Sequence, residues 1–157
     1  MARRPQELLH LLTRAERLSV RRVQSVLDEF DCSIEAWRVL DLLSDDEGHN
    51  MTALADHAFL PAPTLTKLID QLVDQNLVFR RVDPADRRRI LAQLTPRGRE
   101  HWQRLSRAIR ADWGDVKPLL AEEEEPLKTL LDQLAGALEG NGSVTAAHTE
   151  RSVGRAR

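Results

Sequence analysis

The 157 residues can bury one core without disulfides or a metal, and 41 % hydrophobic with 31 % charged residues is the balance of a globular protein with a heavily charged surface. The single cysteine, Cys32, excludes an intramolecular disulfide and fits a reducing compartment. No apolar run reaches the ~18 residues of a membrane span, and the opening Met-Ala-Arg-Arg-Pro-Gln-Glu lacks signal-peptide character, so the expected location is cytoplasmic, with no membrane partner.

Leu8, Leu11, Leu12, Ala15, Leu18, Val23, Val26, Leu27 and Phe30 recur at helical spacing and predict one long first helix. Ser33 is placed to cap a second helix carrying Trp37, Leu40 and Leu43. Residues 44–50 read as a loop, after which Thr52 is the expected cap of a short helix through Leu54, Ala55 and Ala58. Phe59-Leu60-Pro61-Ala62-Pro63 breaks that helix. Leu65, Leu68, Ile69, Leu72 and Val73 then follow the i, i+3, i+4, i+7, i+8 pattern of an amphipathic helix from about Ala62 to Gln75, and Asn76 suits a left-handed end.

Leu77–Val82 and Ile90–Leu94 are strand-forming runs around the charged segment Asp83–Arg89, hence a β-hairpin. Thr95-Pro96 starts a helix whose buried side is Trp102, Leu105, Ile109, Trp113 and Val116, with Pro118 ending it. A last helix carries Leu127, Leu130, Leu131, Leu134 and Leu138, with Glu122–Glu125 near its positive end. From Gly140 onward there is no periodicity, and a disordered tail is expected over 140–157.

The net charge of −2 conceals a segregation: residues 61–110 hold eleven basic and five acidic side chains, whereas residues 31–60 hold seven acids against Arg38 alone. A basic block in an otherwise acidic chain suits a phosphate-binding face, although a solvated charged surface has the same composition. Although an ordinary surface helix of an all-α protein has the same periodicity, short helix, break, amphipathic helix and hairpin in succession suit a helix-turn-helix. In such a unit Thr64, Thr66, Lys67 and Gln71, on the polar side of the second helix, reach phosphates and base edges. Hairpin turns favour Gly, Asn and Asp, so Arg87-Arg88-Arg89 beside the tip calls for a role. An arginine there can enter a narrow minor groove, with Asp86 holding one guanidinium in a bidentate pair; a charge run that blunts a strand edge is the alternative.

Pro63-Thr64-Leu65-Thr66-Lys67-Leu68-Ile69-Asp70-Gln71-Leu72, Leu77-Val78-Phe79-Arg80-Arg81, Asp83-Pro84-Ala85-Asp86-Arg87-Arg88-Arg89 and Leu94-Thr95-Pro96-Arg97-Gly98 together resemble the signature of the multiple antibiotic resistance regulator (MarR) family. The resemblance covers roughly residues 5–139, and its wing segment is the most specific part. It implies a mainly α fold with a small β-hairpin wing, in which a winged helix-turn-helix over 33–116 is joined to dimerisation helices over 1–32 and 117–139. By position, Asp86 matches the family's wing aspartate and Arg88 its minor-groove arginine, while Pro61, Pro63, Thr64, Thr66 and Lys67 match DNA-facing positions of the recognition helix. Two departures stand out: Asn76 where glycine is usual, and Pro61 and Pro63 where small hydroxyl residues are usual.

One recognition helix reads too few base pairs to select a promoter. A homodimer on a palindromic operator, its half-sites about 10 base pairs apart, doubles the readout, and the first and last helices have apolar area to spare for interlocking; a monomeric helical cap is the alternative. The resemblance further implies a small aromatic or anionic effector between dimerisation and DNA-binding parts. Its candidate liners are His10, Arg14, Arg17, Trp37 and Arg38, with Trp37 also readable as a core aromatic. Repression is the family's commoner mode. Redox sensing through Cys32 is opposed by the adjacent Asp31, and the histidines lack metal-ligand spacing. No cofactor or enzyme motif is present; a winged helix that binds protein instead of DNA is the rival class.

Overall fold

The computed structural model describes residues 5–149, and the chain divides into two compact units, Met1–Asp112 and Trp113–Arg157. In the first unit the order is α1 (Pro5–Leu27), α2 (Ile34–Leu42), β1 (His49–Asn50), α3 (Met51–Ala58), α4 (Ala62–Asp74), β2 (Val78–Val82), β3 (Ile90–Leu94) and α5 (Pro96–Asp112). The second holds two short 3-10 turns and α6 (Glu124–Thr149).

The core lies where α2, α3 and α4 converge on the sheet and α5. Leu27, Val39, Leu40, Leu43, Leu54, Leu65, Ile69 and Leu105 are all but inaccessible to solvent. Leucine and isoleucine at three-to-four-residue spacing give each helix one apolar stripe, and burial of such side chains contributes about 1.5–3 kcal/mol apiece. The start of α2 is as the sequence predicts: the Ser33 hydroxyl accepts from Ala36 N at 3.1 Å. Gln24 braces the preceding turn, donating to Cys32 O at 3.1 Å and accepting from Ile34 N at 3.0 Å.

The start of α3 differs from expectation. Asn50, not Thr52, is the cap, its Oδ1 accepting from Ala53 N at 2.9 Å. Nor is the preceding segment entirely loop. His49 and Asn50 pair with Ala92 and Leu91, so the sheet has three antiparallel strands in the order β1-β3-β2. A two-residue strand is too short to show a period in the sequence; only its partner β3 brings it out.

Asn76 closes α4 in the left-handed conformation, φ 57°, as its position predicts. The helix of Pro96 is shorter than expected: α5 ends at Asp112, and Trp113–Asp115 is a 3-10 turn. In the second unit α6 runs to Thr149, so residues 140–149 are helical, which corrects the tail expected there; residues 150–157 lie outside the described residues. Pro126 is accommodated because it falls in the first turn of α6, where no backbone donor is lost. Among the described residues no helix is long and apolar enough to cross a membrane.

Candidate nucleic-acid interface

Helices α3 and α4, joined by the turn Phe59-Leu60-Pro61, form the helix-turn-helix. Phe59 holds the left-handed conformation, φ 57°, that lets the chain leave α3. A bulky residue pays a conformational cost there, and its ring is 78 % exposed. Arg38 from α2 lies over that ring, 5.1 Å from its centroid, a cation–π contact that covers part of it.

Leu65, Ile69 and Leu72 anchor α4 in the core. This leaves Pro61, Pro63, Thr64, Thr66, Lys67 and Gln71 exposed, the first two at the helix start, where proline needs no donor. Thr66 donates its hydroxyl to Ala62 O at 3.0 Å, so the oxygen remains an acceptor toward solvent. Lys67 has no carboxylate partner among the described residues. One polar edge with a free cation therefore projects from the helix that in a winged helix-turn-helix reads the major groove.

The wing is built by β2 and β3, in register from Val78↔Leu94 to Val82↔Ile90. Its seven-residue loop is closed by Asp83 N donating to Arg89 O at 3.0 Å and Arg89 N to Asp86 O at 2.9 Å. Two aspartates shape the turn from within: Asp83 Oδ1 accepts from Ala85 N at 2.9 Å and Asp86 Oδ1 from Arg88 N at 3.1 Å. The expected bidentate pair is not what forms. Asp86 divides its two oxygens, with Oδ1 3.4 Å from Arg88 Nε and Oδ2 3.9 Å from Arg89 Nε. Arg88 is nonetheless 93 % exposed, and Arg87 and Arg89 are exposed beside it. Arg88 and Arg89 border one groove with Asn50, Met51, Thr52 and Ala53 at the start of α3. Sequence reasoning had no signal for that juxtaposition, since the two segments lie 35 to 39 positions apart in the chain.

Not every arginine of the basic block belongs to this face. Arg80 is paired with Asp70 of α4, and Arg99 with Asp46. Arg81 donates to Gln93 Oε1 at 2.8 Å, and Gln93 in turn to Asp46 O at 2.9 Å. The acidic segment before α3 thus neutralises part of the basic segment after it, while Lys67 on α4 and Arg87 at the wing tip have no ion-pair partner among the described residues. The wing is also fastened to α5. Thr95 Oγ1 donates to Asn76 O at 2.7 Å and accepts from Gly98 N at 2.9 Å, while Thr95 N donates to Leu77 O at 3.0 Å. Gly98 touches the same carbonyl so closely that a Cβ there would stand 1.9 Å from Leu77 O.

The effector candidates are not brought together. His10, Arg14 and Arg17 are exposed on α1, and Arg38 is committed to Phe59. Arg17 borders an open groove along α1 with Val20, Arg21 and Gln24, while Trp37 lines a separate cavity, of about 320 Å³, with Asp41, Trp102, Ser106, Ile109 and Arg110. There Trp102 Nε1 donates to Asp41 Oδ1 at 3.0 Å, whereas the buried Trp37 Nε1 and Ser106 Oγ have no partner among the described residues. The residues from α5 were missed because helix periodicity marks Trp102 and Ile109 as core and says nothing of a void beside them. Burial pushes the Cys32 thiol up to about 11. The thiolate is therefore scarce at neutral pH, and the cause is desolvation, partly offset by a backbone hydrogen bond from Trp37, not the neighbouring Asp31.

A sequence model of the MarR family matches residues 30–89, the span from the start of α2 to the wing tip. The HTH-type transcriptional regulator FarR of Neisseria gonorrhoeae is 25 % identical over 79 % of this chain and 86 % of its own length. Among solved structures, NadR in complex with 4-hydroxyphenylacetate superposes with a TM-score of 0.75 at 23 % identity, covering 86 % of this chain and 95 % of NadR. The transcriptional repressor CouR, bound to a 23-mer DNA duplex, superposes with a TM-score of 0.67 at 25 % identity, covering 83 % and 92 %. Helix-turn-helix and arginine wing lie within the matched span, and the chain resembles the MarR family of DNA-binding transcriptional regulators in sequence over residues 30–89 and in fold over most of its length.

Proposed function

We propose that the protein binds a pseudo-palindromic operator as a homodimer in the cytoplasm, represses transcription there, and is released by a small aromatic anion. The observation that carries the DNA reading is the wing tip: Arg88, almost wholly exposed, has its backbone and guanidinium tied to one carboxylate, an arrangement preorganised to enter a narrow groove. Lys67, with Thr64, Thr66 and Gln71, supplies the major-groove edge and Arg87 and Arg89 add phosphate contacts. That CouR is a repressor seen on a DNA duplex supports the same assignment.

Two helices support the dimer. Of the 23 residues of α1 only Val23 and Leu27 are buried, and Leu8, Leu9, Leu11 and Leu18 are 52–65 % exposed. On α6, Leu127, Leu130, Leu131 and Leu138 are 43–65 % exposed. Apolar area on this scale marks an interface, so residues 1–32 and 117–139 serve as dimerisation helices and 33–116 as the DNA-binding part.

The effector reading rests on the tryptophan-walled cavity. Two buried polar atoms without partners, beside Arg110, suit a planar ring bearing a carboxylate and a second polar group. NadR is seen with a ligand of that chemistry. A ligand favouring the DNA-incompetent arrangement weakens operator binding by its coupling energy.

Fluorescence anisotropy with a duplex taken from upstream of the protein's own coding sequence tests the DNA reading. Arg88→Ala is expected to lower affinity at least about tenfold, the worth of one well-placed groove contact. Lys67→Ala is expected to weaken all duplexes alike and to flatten the salt dependence by about one ion. Wild-type binding by both variants refutes the assigned face.

A further inference from the structure

A second cavity, of about 360 Å³, opens on the other side of the DNA-binding unit, within the size range of small-molecule pockets (about 300–1,000 Å³). Three groups on one stripe of α5, Arg97, His101 and Arg104, line it at i, i+4 and i+7 spacing. Against them stand the apolar Phe30, Leu68 and Leu72, the last two from the recognition helix. Neither arginine has an ion-pair partner among the described residues, and Asp31, exposed at the α1–α2 turn, is the one carboxylate among the lining groups.

Like charges gathered beside a concave apolar wall raise one another's free energy, and an anion relieves that repulsion. The effect is visible on His101, whose proton affinity is lowered by burial first and by Arg104 and Arg97 next. We propose that this cavity is a second ligand site, which takes a small carboxylate with an apolar body. The carboxylate lies between Arg97 and Arg104 and the apolar part against Phe30 and Leu68. It is separate from the tryptophan-walled cavity, with which it shares no lining residue. Because Leu68, Gln71, Leu72 and Gln75 form one wall, an occupant bears directly on the C-terminal half of α4.

Cys32 gives the site its own probe, since it lines the cavity and is the chain's single cysteine. Alkylation of the full-length protein by N-ethylmaleimide, followed by mass spectrometry without DNA, reads occupancy independently of operator binding. Sodium benzoate is expected to slow alkylation saturably, by about threefold at twice its dissociation constant, and neutral benzamide is not. Replacing both exposed cations, Arg97→Gln with Arg104→Gln, should shift half-saturation at least about tenfold, the loss of a charge-assisted contact, while Trp37→Phe leaves protection intact. No protection by benzoate, equal protection by benzamide, or protection lost in Trp37→Phe but kept in the double variant would each overturn the proposal. Because no DNA is present, these outcomes stand apart from the success or failure of the operator reading.

Discussion

Substituting Gly98 by alanine is the sharpest probe of how the wing is held. In an isolated helix the change favours folding by about 1 kcal/mol, because glycine is the more flexible residue. In this protein the added methyl meets backbone: Leu77 O at 1.9 Å, Leu77 C at 2.8 Å and Leu77 Cα at 3.2 Å. The first distance falls roughly 1.5 Å short of the 3.4 Å where ordinary contact begins, and neither partner can rotate aside. Either α5 or the start of β2 must retreat. Retreat stretches the Thr95 N to Leu77 O bond and the Thr95 clasp on Asn76, each worth about 1 kcal/mol. Adding overpacking of about 1–3 kcal/mol and subtracting the helix term leaves a net destabilisation of about 3 kcal/mol. For a chain of this size that lowers the midpoint of thermal unfolding by about 6–12 °C. Circular dichroism at one fixed protomer concentration measures it. Gly136→Ala, where a Cβ meets nothing within 4 Å, serves as the control and should be neutral or slightly stabilising. A Gly98→Ala midpoint within 2 °C of wild type, roughly half a kcal/mol, would show that the clasp is slack and the reasoning unsound.

Other consequences follow from the same contacts. Asp86→Ala frees Arg88 and Arg89 at the wing tip; stability should change by less than about 1 kcal/mol, as for exposed ion pairs, while operator affinity falls, and equal affinity means the tip needs no preorganisation. Ser106→Ala removes a buried hydroxyl without a partner among the described residues; it should leave stability unchanged or raised by up to about 1 kcal/mol while weakening the aromatic anion proposed for that cavity, read by calorimetry with a hydroxylated aromatic carboxylate as probe. For Cys32 the sign is set by a folded value near 11 against 9.0 for an unburied thiol. Its contribution to stability is full below pH 9, falls as pH rises toward 11, and vanishes in Cys32→Ala. At pH 8 its alkylation should run about a hundredfold slower than that of a free cysteine. A rate matching free cysteine would mean the thiol is neither buried nor shifted.

Much of this architecture is local and so legible in the chain. The leucine and isoleucine spacing of α4, the Ser33 cap, the left-handed Asn76 and the strand-forming runs around Asp83–Arg89 each state a preference within a few residues. The exposed edge of α4 follows directly, because fixing which side chains are buried fixes which are not. What tertiary structure alone decides are the partnerships across long stretches of chain. Pairing of β1 with β3 and the neutralisation of Arg80 by Asp70 and of Arg99 by Asp46 depend on groups 10 to 53 residues apart, and the pairing of Asn50 with Leu91 accompanies its choice over Thr52 as cap. A charge count treats every cation of the basic block alike, whereas the fold buries none of the wing-tip charge, ties Arg88 to Asp86 in an exposed position, and leaves Lys67 without an ion pair among the described residues. The two cavities are invisible to periodicity for a related reason: a hydrophobic pattern records which face turns inward, not where the inward faces fail to meet.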